Sequence, residues 1–256
     1  MIIQNQNEVV FEGLTAVSAL INSKKDGKND RAIKKIFFDK EKCRSKSREL
    51  SFLKANESTL GYELLLVSSE EISKYTNGNT HGGIVAVCGE RVIPSLSSDK
   101  IKKNGVYYIF EGVEDPYNFG YMIRSVYAAG ADGIVLSHRN WLSAADVVAR
   151  SSAGTSELIE SFVCEPEEAV DIFKSLGFTV ICAGIRDSVP VYKADLVAPL
   201  LVIVGGEKRG ISRKLLDKAD KIVRIDYGRA FRGSLPSVAA TSVIAFEILR
   251  QNSKVQ

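Results

Sequence analysis

The sequence predicts an α/β protein in two parts, a small αβ module over residues 1–98 followed by a larger domain over residues 99–256 built on a parallel sheet. Three observations carry this. After residue 100, short and nearly continuous apolar runs such as Val106-Tyr107-Tyr108-Ile109-Phe110 and Leu200-Leu201-Val202-Ile203-Val204 alternate with helical patterns, as in parallel sheets covered on both faces. The polar stretch Pro94-Ser95-Leu96-Ser97-Ser98-Asp99-Lys100 reads as a linker between two periodic regions. A chain of 256 residues with 45% hydrophobic and 25% charged residues has the composition of folded domains and the length for one or two of them.

In the first region, Leu14, Val17, Leu20 and Ile21 predict a helix, and strands are expected at Ile33–Phe38, Tyr62–Ser68 and Gly83–Cys88. In the second, a strand at Val106–Phe110 leads to a helix over Gly120–Ala129 and a strand over Gly133–Ser137. Pro166 with Glu167 and Glu168 suits a helix start, and Ala169, Ile172, Phe173 and Leu176 follow at helical spacing before Gly177 ends the element. Strands are then expected at Phe178–Ala183, Leu200–Val204 and Lys221–Ile225, with a short helix from Ser212 and a final helix from about Pro236 to Arg250.

The net charge of +3 says little by itself, but its distribution is uneven. Lys24 to Arg48 holds eleven basic and four acidic residues, a local +7 that leaves −4 for the rest. Such a field attracts phosphates, and it equally suits a solvated Lys-rich loop. Cys43, Cys88, Cys164 and Cys182 are widely spaced and the chain has only two histidines, His81 and His138, so no metal site or disulfide framework is expected. The same scarcity argues against Ser-His-Asp or Cys-His catalysis. The apolar runs are too short to span a bilayer, and the amino terminus lacks the pattern of a secretory signal. A cytoplasmic protein without a membrane partner is expected.

Ligands of open parallel sheets bind beyond the carboxyl ends of the strands, so loops following strands are the candidate sites. One is Glu111-Gly112-Val113-Glu114-Asp115-Pro116-Tyr117-Asn118-Phe119-Gly120, where Asn118 suits a helix N-cap and Arg124 follows six residues on. A second is Gly205-Gly206-Glu207-Lys208-Arg209-Gly210-Ile211-Ser212, which matches neither G-x-G-x-x-G nor a P-loop and so disfavours a nucleoside triphosphate. A third runs from Ile225 through Ser234-Leu235-Pro236-Ser237 into an Ala-rich helix whose Ala239, Ala240, Ser242 and Ala245 admit close packing.

Together these loops resemble, in order and spacing, the three motifs of the SpoU (TrmH-like) family in the SPOUT class of S-adenosylmethionine-dependent RNA methyltransferases. Arg150-Ser151-Ser152-Ala153-Gly154 is similar to a further recurring segment, and Phe11-Glu12-Gly13 with His81-Gly82-Gly83 resembles landmarks of the family's RNA-binding module, related in fold to a small ribosomal protein. The resemblance implies a deep trefoil knot in the second domain, a homodimer, and S-adenosylmethionine as cofactor, held by Gly184, Gly205, Gly210, Ile225 and Leu235. It implies an enzyme that methylates a ribose 2′-hydroxyl of structured RNA, expected to be ribosomal. Arg124, Asn118, Glu207 and Ser234 take the catalytic positions. A guanidinium is a poor proton acceptor, so Arg124 is expected to organise the hydroxyl or an adjacent phosphate.

The third motif departs from the family pattern. The family reads Ser-Leu-Asn where this chain has Ser234-Leu235-Pro236, and one residue is missing before Val238. That departure motivates a second reading, an RNA-binding or ribosome-assembly protein with a decayed methyltransferase site. Transfer RNA as the substrate also agrees with the resemblance, whereas base methylation by a related knotted enzyme fits the fold but matches these motifs less well.

Overall fold

A computed structural model describes residues 8–76, 81–137 and 144–253. They divide into two compact units: one extends to Val92 and also takes in the later stretch 144–158, the other holds the rest. The sequence places a single cut after residue 98, whereas here a stretch from the middle of the second region folds with the first unit.

The first unit is built on a four-stranded mixed sheet in the order β1 (Val9–Glu12), β4 (Ile84–Cys88), β2 (Ile33–Asp39), β3 (Glu63–Val67). β4 is buried along its whole length, as its run Ile-Val-Ala-Val-Cys dictates for a central strand. One face is covered by α1 (Gly13–Lys25) and α2 (Ser47–Leu60), with Phe11, Leu20, Ile21, Ile36, Phe38 and Leu53 at the centre of the core. α3 (Ser69–Ile72) brings Ile72 to a second cluster with Val10, Phe37, Val85 and Val87, where Phe37 stacks on Tyr75 at 4.6 Å. The basic segment is therefore not one loop. It runs from the end of α1 through β2 into α2, and Lys34, Lys35 and Lys42 pair with Glu8, Glu63 and Asp39.

Arg31 leaves the basic surface altogether, with only 3% of it exposed. Its Nε and Nη2 reach Glu157 at 3.1 and 3.3 Å and its Nη1 donates to the Gly89 carbonyl at 2.8 Å, while Asn29 Nδ2 donates to the same carboxylate at 2.7 Å. Glu157 lies in α6 (Thr155–Leu158), preceded by α5 (Ala145–Ser151), whose Arg150 pairs with the buried Glu12 carboxylate at 2.7 Å. Gly154, at φ +81°, takes a conformation that suits glycine, and a Cβ there would lie 2.6 Å from that of Ala19.

His81 is buried, and its Nδ1 accepts a hydrogen bond from the Gly83 amide at 3.0 Å. Burial lowers its pKa, opposed by Glu12 and Asp39 and aided by Lys42 and Lys46. The unfolded chain then takes up a proton near pH 6.5, about the ordinary histidine value, while the folded one resists it. Stability from this group is present above that pH and lost as pH falls through the lower folded value. Thermal melts from about pH 8 to pH 5 should show a steeper fall for the wild type than for His81→Gln.

The second unit is a seven-stranded parallel sheet in the order β7 (Glu160–Val163), β6 (Gly133–Leu136), β5 (Val106–Glu111), β10 (Leu200–Gly205), β8 (Thr179–Ala183), β11 (Lys221–Arg224), β9 (Val189–Pro190). α7 (Pro166–Ser175) and α8 (Arg213–Lys218) cover one face, where Tyr107, Phe173 and Phe178 pack ring against ring. α4 (Pro116–Ala128) packs against α9 (Ser237–Asn252), and the Ser125 and Ser242 hydroxyls lie 2.8 Å apart, so the small residues of the last helix accommodate α4. The expected linker is tied down: the Pro94 carbonyl and Leu96 amide bond to Val163 of β7, and Leu96 is buried.

Cys88, Cys164 and Cys182 are buried, with burial pushing their thiols up to about 12, 11 and 12, and Cys43 is half-buried and free. His138 lies outside the described residues. Among the described residues no helix is long and apolar enough to cross a membrane.

Candidate active site at the carboxyl ends of the strands

β5 and β10 are neighbours at the middle of the parallel sheet, so the loops leaving their carboxyl ends emerge side by side. The Gly206 amide donates to the Glu111 carbonyl at 2.7 Å, continuing the pairing one residue past the strands. A Cβ at Gly206 would stand 2.2 Å from the Gly112 carbonyl oxygen, and one at Gly205 2.4 Å from the Gly210 carbonyl carbon. Backbone fills these spaces, so two glycines are required for close approach. The turn closes through a Gly210 amide bond to the Gly206 carbonyl at 3.0 Å, with Gly210 at φ +65°.

This crossing brings Asn118 and Glu207 together, eighty-nine positions apart in sequence: Asn118 Nδ2 donates to Glu207 Oε1 at 3.4 Å. Asn118 is not the cap of its helix. Asp115 is the N-cap, accepting the Asn118 amide at 2.9 Å, and Pro116 occupies the first turn, so the helix starts four residues before Gly120. The Asn118 side chain is thereby released from capping and reaches the neighbouring loop. Lys208 pairs with Glu114 at 2.7 Å, a second link between the two loops.

Arg124 lies six residues along α4, roughly 9 Å further on at 1.5 Å per residue and about 120° around the helix from Asn118. It is exposed, on the same stripe as Tyr117 and Tyr121, and has no ion pair among the described residues. The structure therefore joins Asn118 to Glu207 and does not join Arg124 to either.

Ser234 is exposed just before α9 and has no hydrogen-bond partner among the described residues. Leu235 is half-buried, its amide donating to the Tyr227 hydroxyl at 3.0 Å. The serine that engages the glycine loop is Ser237, whose Oγ donates to the Gly205 carbonyl at 2.8 Å. Pro236 is the N-cap of this helix, a position where a missing amide hydrogen costs nothing. Gly184 leaves β8 with its amide on the Val223 carbonyl at 2.9 Å, and the half-buried Ile225 follows β11.

Sequence reasoning misses Ser237 and Glu111 as site residues. Glu111 Oε2 accepts the Ser212 amide at 2.8 Å and anchors the far end of the glycine loop. An acidic residue closing an otherwise apolar strand is the available signal. Among the described residues, Ser212 Oγ is buried without a hydrogen-bond partner. Among the described residues, no group of three or more His, Cys, Asp or Glu side chains is arranged to hold a metal ion.

Known proteins resemble this chain over the stretch that carries these loops and share its fold. Residues 105–246 match the model of the SpoU rRNA methylase family, and residues 10–91 match the model described as RNA 2′-O ribose methyltransferase substrate binding. A putative TrmH-family tRNA/rRNA methyltransferase of Staphylococcus haemolyticus is 31% identical over 62% of this chain and 65% of its own length, so this chain spans under two thirds of it. The 23S rRNA (guanosine-2′-O-)-methyltransferase RlmB of Ralstonia nicotianae is 27% identical over 88% of this chain and 90% of its own. An AdoMet-bound rRNA methyltransferase structure from Sinorhizobium meliloti shares the fold, with a TM-score of 0.78 at 23% identity over 97% of this chain and 89% of that one. With the first model covering more than half of its residues, and the loops of that stretch meeting at one sheet edge, the chain belongs to the SpoU rRNA methylase family.

Proposed function

We propose that the protein is an RNA 2′-O-ribose methyltransferase that uses S-adenosylmethionine and acts on structured RNA, with ribosomal RNA as its substrate. The observation that carries this reading is the Asn118–Glu207 contact across two loops at the carboxyl edge of the parallel sheet. The RlmB relative, a 23S rRNA guanosine-2′-O-methyltransferase by name, supports the substrate class, and the AdoMet-bound neighbour supports the cofactor.

The residues present fit such a cofactor. Gly112 and Gly210 have open space where a Cβ would stand, and Ile225 and Leu235 are half-buried apolar side chains on the adjoining loops. Gly184, Gly205, Gly210, Ile225 and Leu235 would hold it, largely through backbone groups. When bound, S-adenosylmethionine supplies an electrophilic sulfonium methyl. Glu207 fixes the Asn118 amide, which in turn positions the substrate ribose; Ser234 contacts the nucleotide, and Arg124 donates to the 2′-hydroxyl or an adjacent phosphate without accepting its proton.

The first unit grips RNA through the exposed Lys40, Arg44 and Arg48, and the second unit carries the methyl transfer. The central position of β10 between β5 and β8, with the last helix returning to α4, supports the deep trefoil knot expected of the class. The exposed Tyr117, Tyr121 and Phe246 on α4 and α9 support a homodimer formed through the methyl-transfer domain. We place the protein in the cytoplasm, with no membrane or metal partner.

Incubation with tritiated S-adenosylmethionine and total RNA from a deletion strain should yield alkali-resistant ribose methylation. Absence of transfer to any RNA, with calorimetric binding to RNA but not to the cofactor, would overturn the enzyme in favour of the decayed-site reading that Pro236 motivates.

A further inference from the structure

The loop between β11 and α9 carries a feature that the methyl-transfer reading does not use. Phe231 is 58% exposed, an unfavourable place for a phenylalanine ring in water, yet it is not loose. Its ring meets that of Tyr227 edge to face at 5.6 Å. It also lies against Gly233, where an added Cβ would come within 2.6 Å of the ring. Tyr227 is itself tied down, its hydroxyl accepting the Leu235 amide at 3.0 Å and closing the loop across eight residues. The ring is thus held in place while more than half of it stays open to solvent.

Charge selects the occupant. Asp226, the acidic residue of this loop, is engaged by Arg224 at 2.8 Å. Arg229 and Arg232, which flank Phe231, are both exposed and have no ion pair among the described residues. An apolar protein partner would bury two uncompensated guanidinium groups, a costly arrangement. A polyanion with flat aromatic faces satisfies both features, because bases stack on the ring while phosphates meet the arginines. We infer that Phe231, braced by Tyr227 and Gly233 and flanked by Arg229 and Arg232, is a stacking platform for an unpaired nucleotide of the RNA substrate. The inference rests on the reading of the protein as an RNA methyltransferase. It places the platform immediately before Ser234, so that a base held there brings single-stranded RNA to the transfer site.

The test is fluorescence anisotropy of the full chain with a fluorescein-labelled single-stranded 12-mer RNA of mixed sequence, and with the same 12-mer paired in a duplex. Phe231→Ala should weaken single-strand binding about tenfold, the scale of one lost base–aromatic stack, while duplex binding changes less than about twofold. Phe231→Trp should retain affinity. Gly233→Ala, which keeps the phenylalanine but displaces its ring, should reproduce the loss. Arg229→Gln with Arg232→Gln should reduce the salt slope of single-strand binding by about 1.4, as expected for two phosphate contacts.

Wild-type affinity in Phe231→Ala, or no single-strand binding by the wild type, overturns the platform. Calorimetry with S-adenosylmethionine and sedimentation are run on the same variants. Loss of cofactor affinity alone would assign the ring to the adenine, and loss of self-association alone would assign it to a second copy; either overturns the inference. If the wild type shows the predicted single-strand binding but transfers no methyl group to any RNA, the enzyme reading fails and the platform stands.

Discussion

Replacing Arg124 with alanine is expected to lower the rate of methyl transfer by about 100- to 1,000-fold, the usual cost of removing one donor to a developing charge, while cofactor affinity stays within about twofold. The side chain is exposed on α4 and has no ion pair among the described residues, so its removal leaves no buried charge and little else to disturb. A structural explanation of any lost activity is correspondingly weak. Arg124→Lys should not restore the rate, because an ammonium lacks the planar fork that can hold a hydroxyl and a phosphate oxygen together. Single-turnover transfer with tritiated S-adenosylmethionine, paired with calorimetry, measures both quantities. A wild-type rate in Arg124→Ala would refute the role proposed for this residue.

Glu157→Ala should have the largest effect on stability. It leaves the Arg31 guanidinium, 3% exposed, without its counter-charge, and removes the shorter of two Asn29 Nδ2 bonds, leaving the one at 3.3 Å to the Glu157 carbonyl. Breaking one side of a buried ion pair costs about 3–5 kcal/mol. In a unit of this size that corresponds to a drop on the order of 15 °C or more in its melting temperature. The combined change Arg31→Met with Glu157→Leu should recover much of the loss, since apolar residues of similar volume often replace buried pairs without penalty. Thermal melts of the full chain followed by circular dichroism test both. A loss under about 1 kcal/mol for Glu157→Ala would mean that water reaches the pair and screens it.

The elements best legible in the sequence are those whose local pattern matches their burial. β10 is a continuous apolar run buried along nearly its whole length, and α7 carries its apolar stripe between Pro166 and Gly177. α2 is hard to see because Leu53 is its one fully buried apolar residue, and the charges around it read as loop. The start of α4 lies at Asp115-Pro116, a sound start signal, but Asn118 is an equally good capping residue by type and draws the expected boundary inward. Of the site, the loops are legible from their glycines. The link from Ser237 to Gly205 is not, since it depends on the start of α9 meeting the end of β10 after thirty-two positions of chain. Arg31 counts toward the phosphate-attracting segment because net charge says nothing of direction, and only its tertiary partner Glu157 takes it inside.

The packing of residues 144–158 with the first unit also governs how such a protein can be recombined. A single crossover near residue 98 would hand this first module to a host that keeps its own residues at positions 150 and 157, so Arg31 and Glu12 would lose Glu157 and Arg150 wherever the host differs there. A compatible exchange needs both stretches from the same parent. The inheritable block is discontinuous in the gene, and chimeras joined at one point should be recovered far less often than those that transplant both pieces.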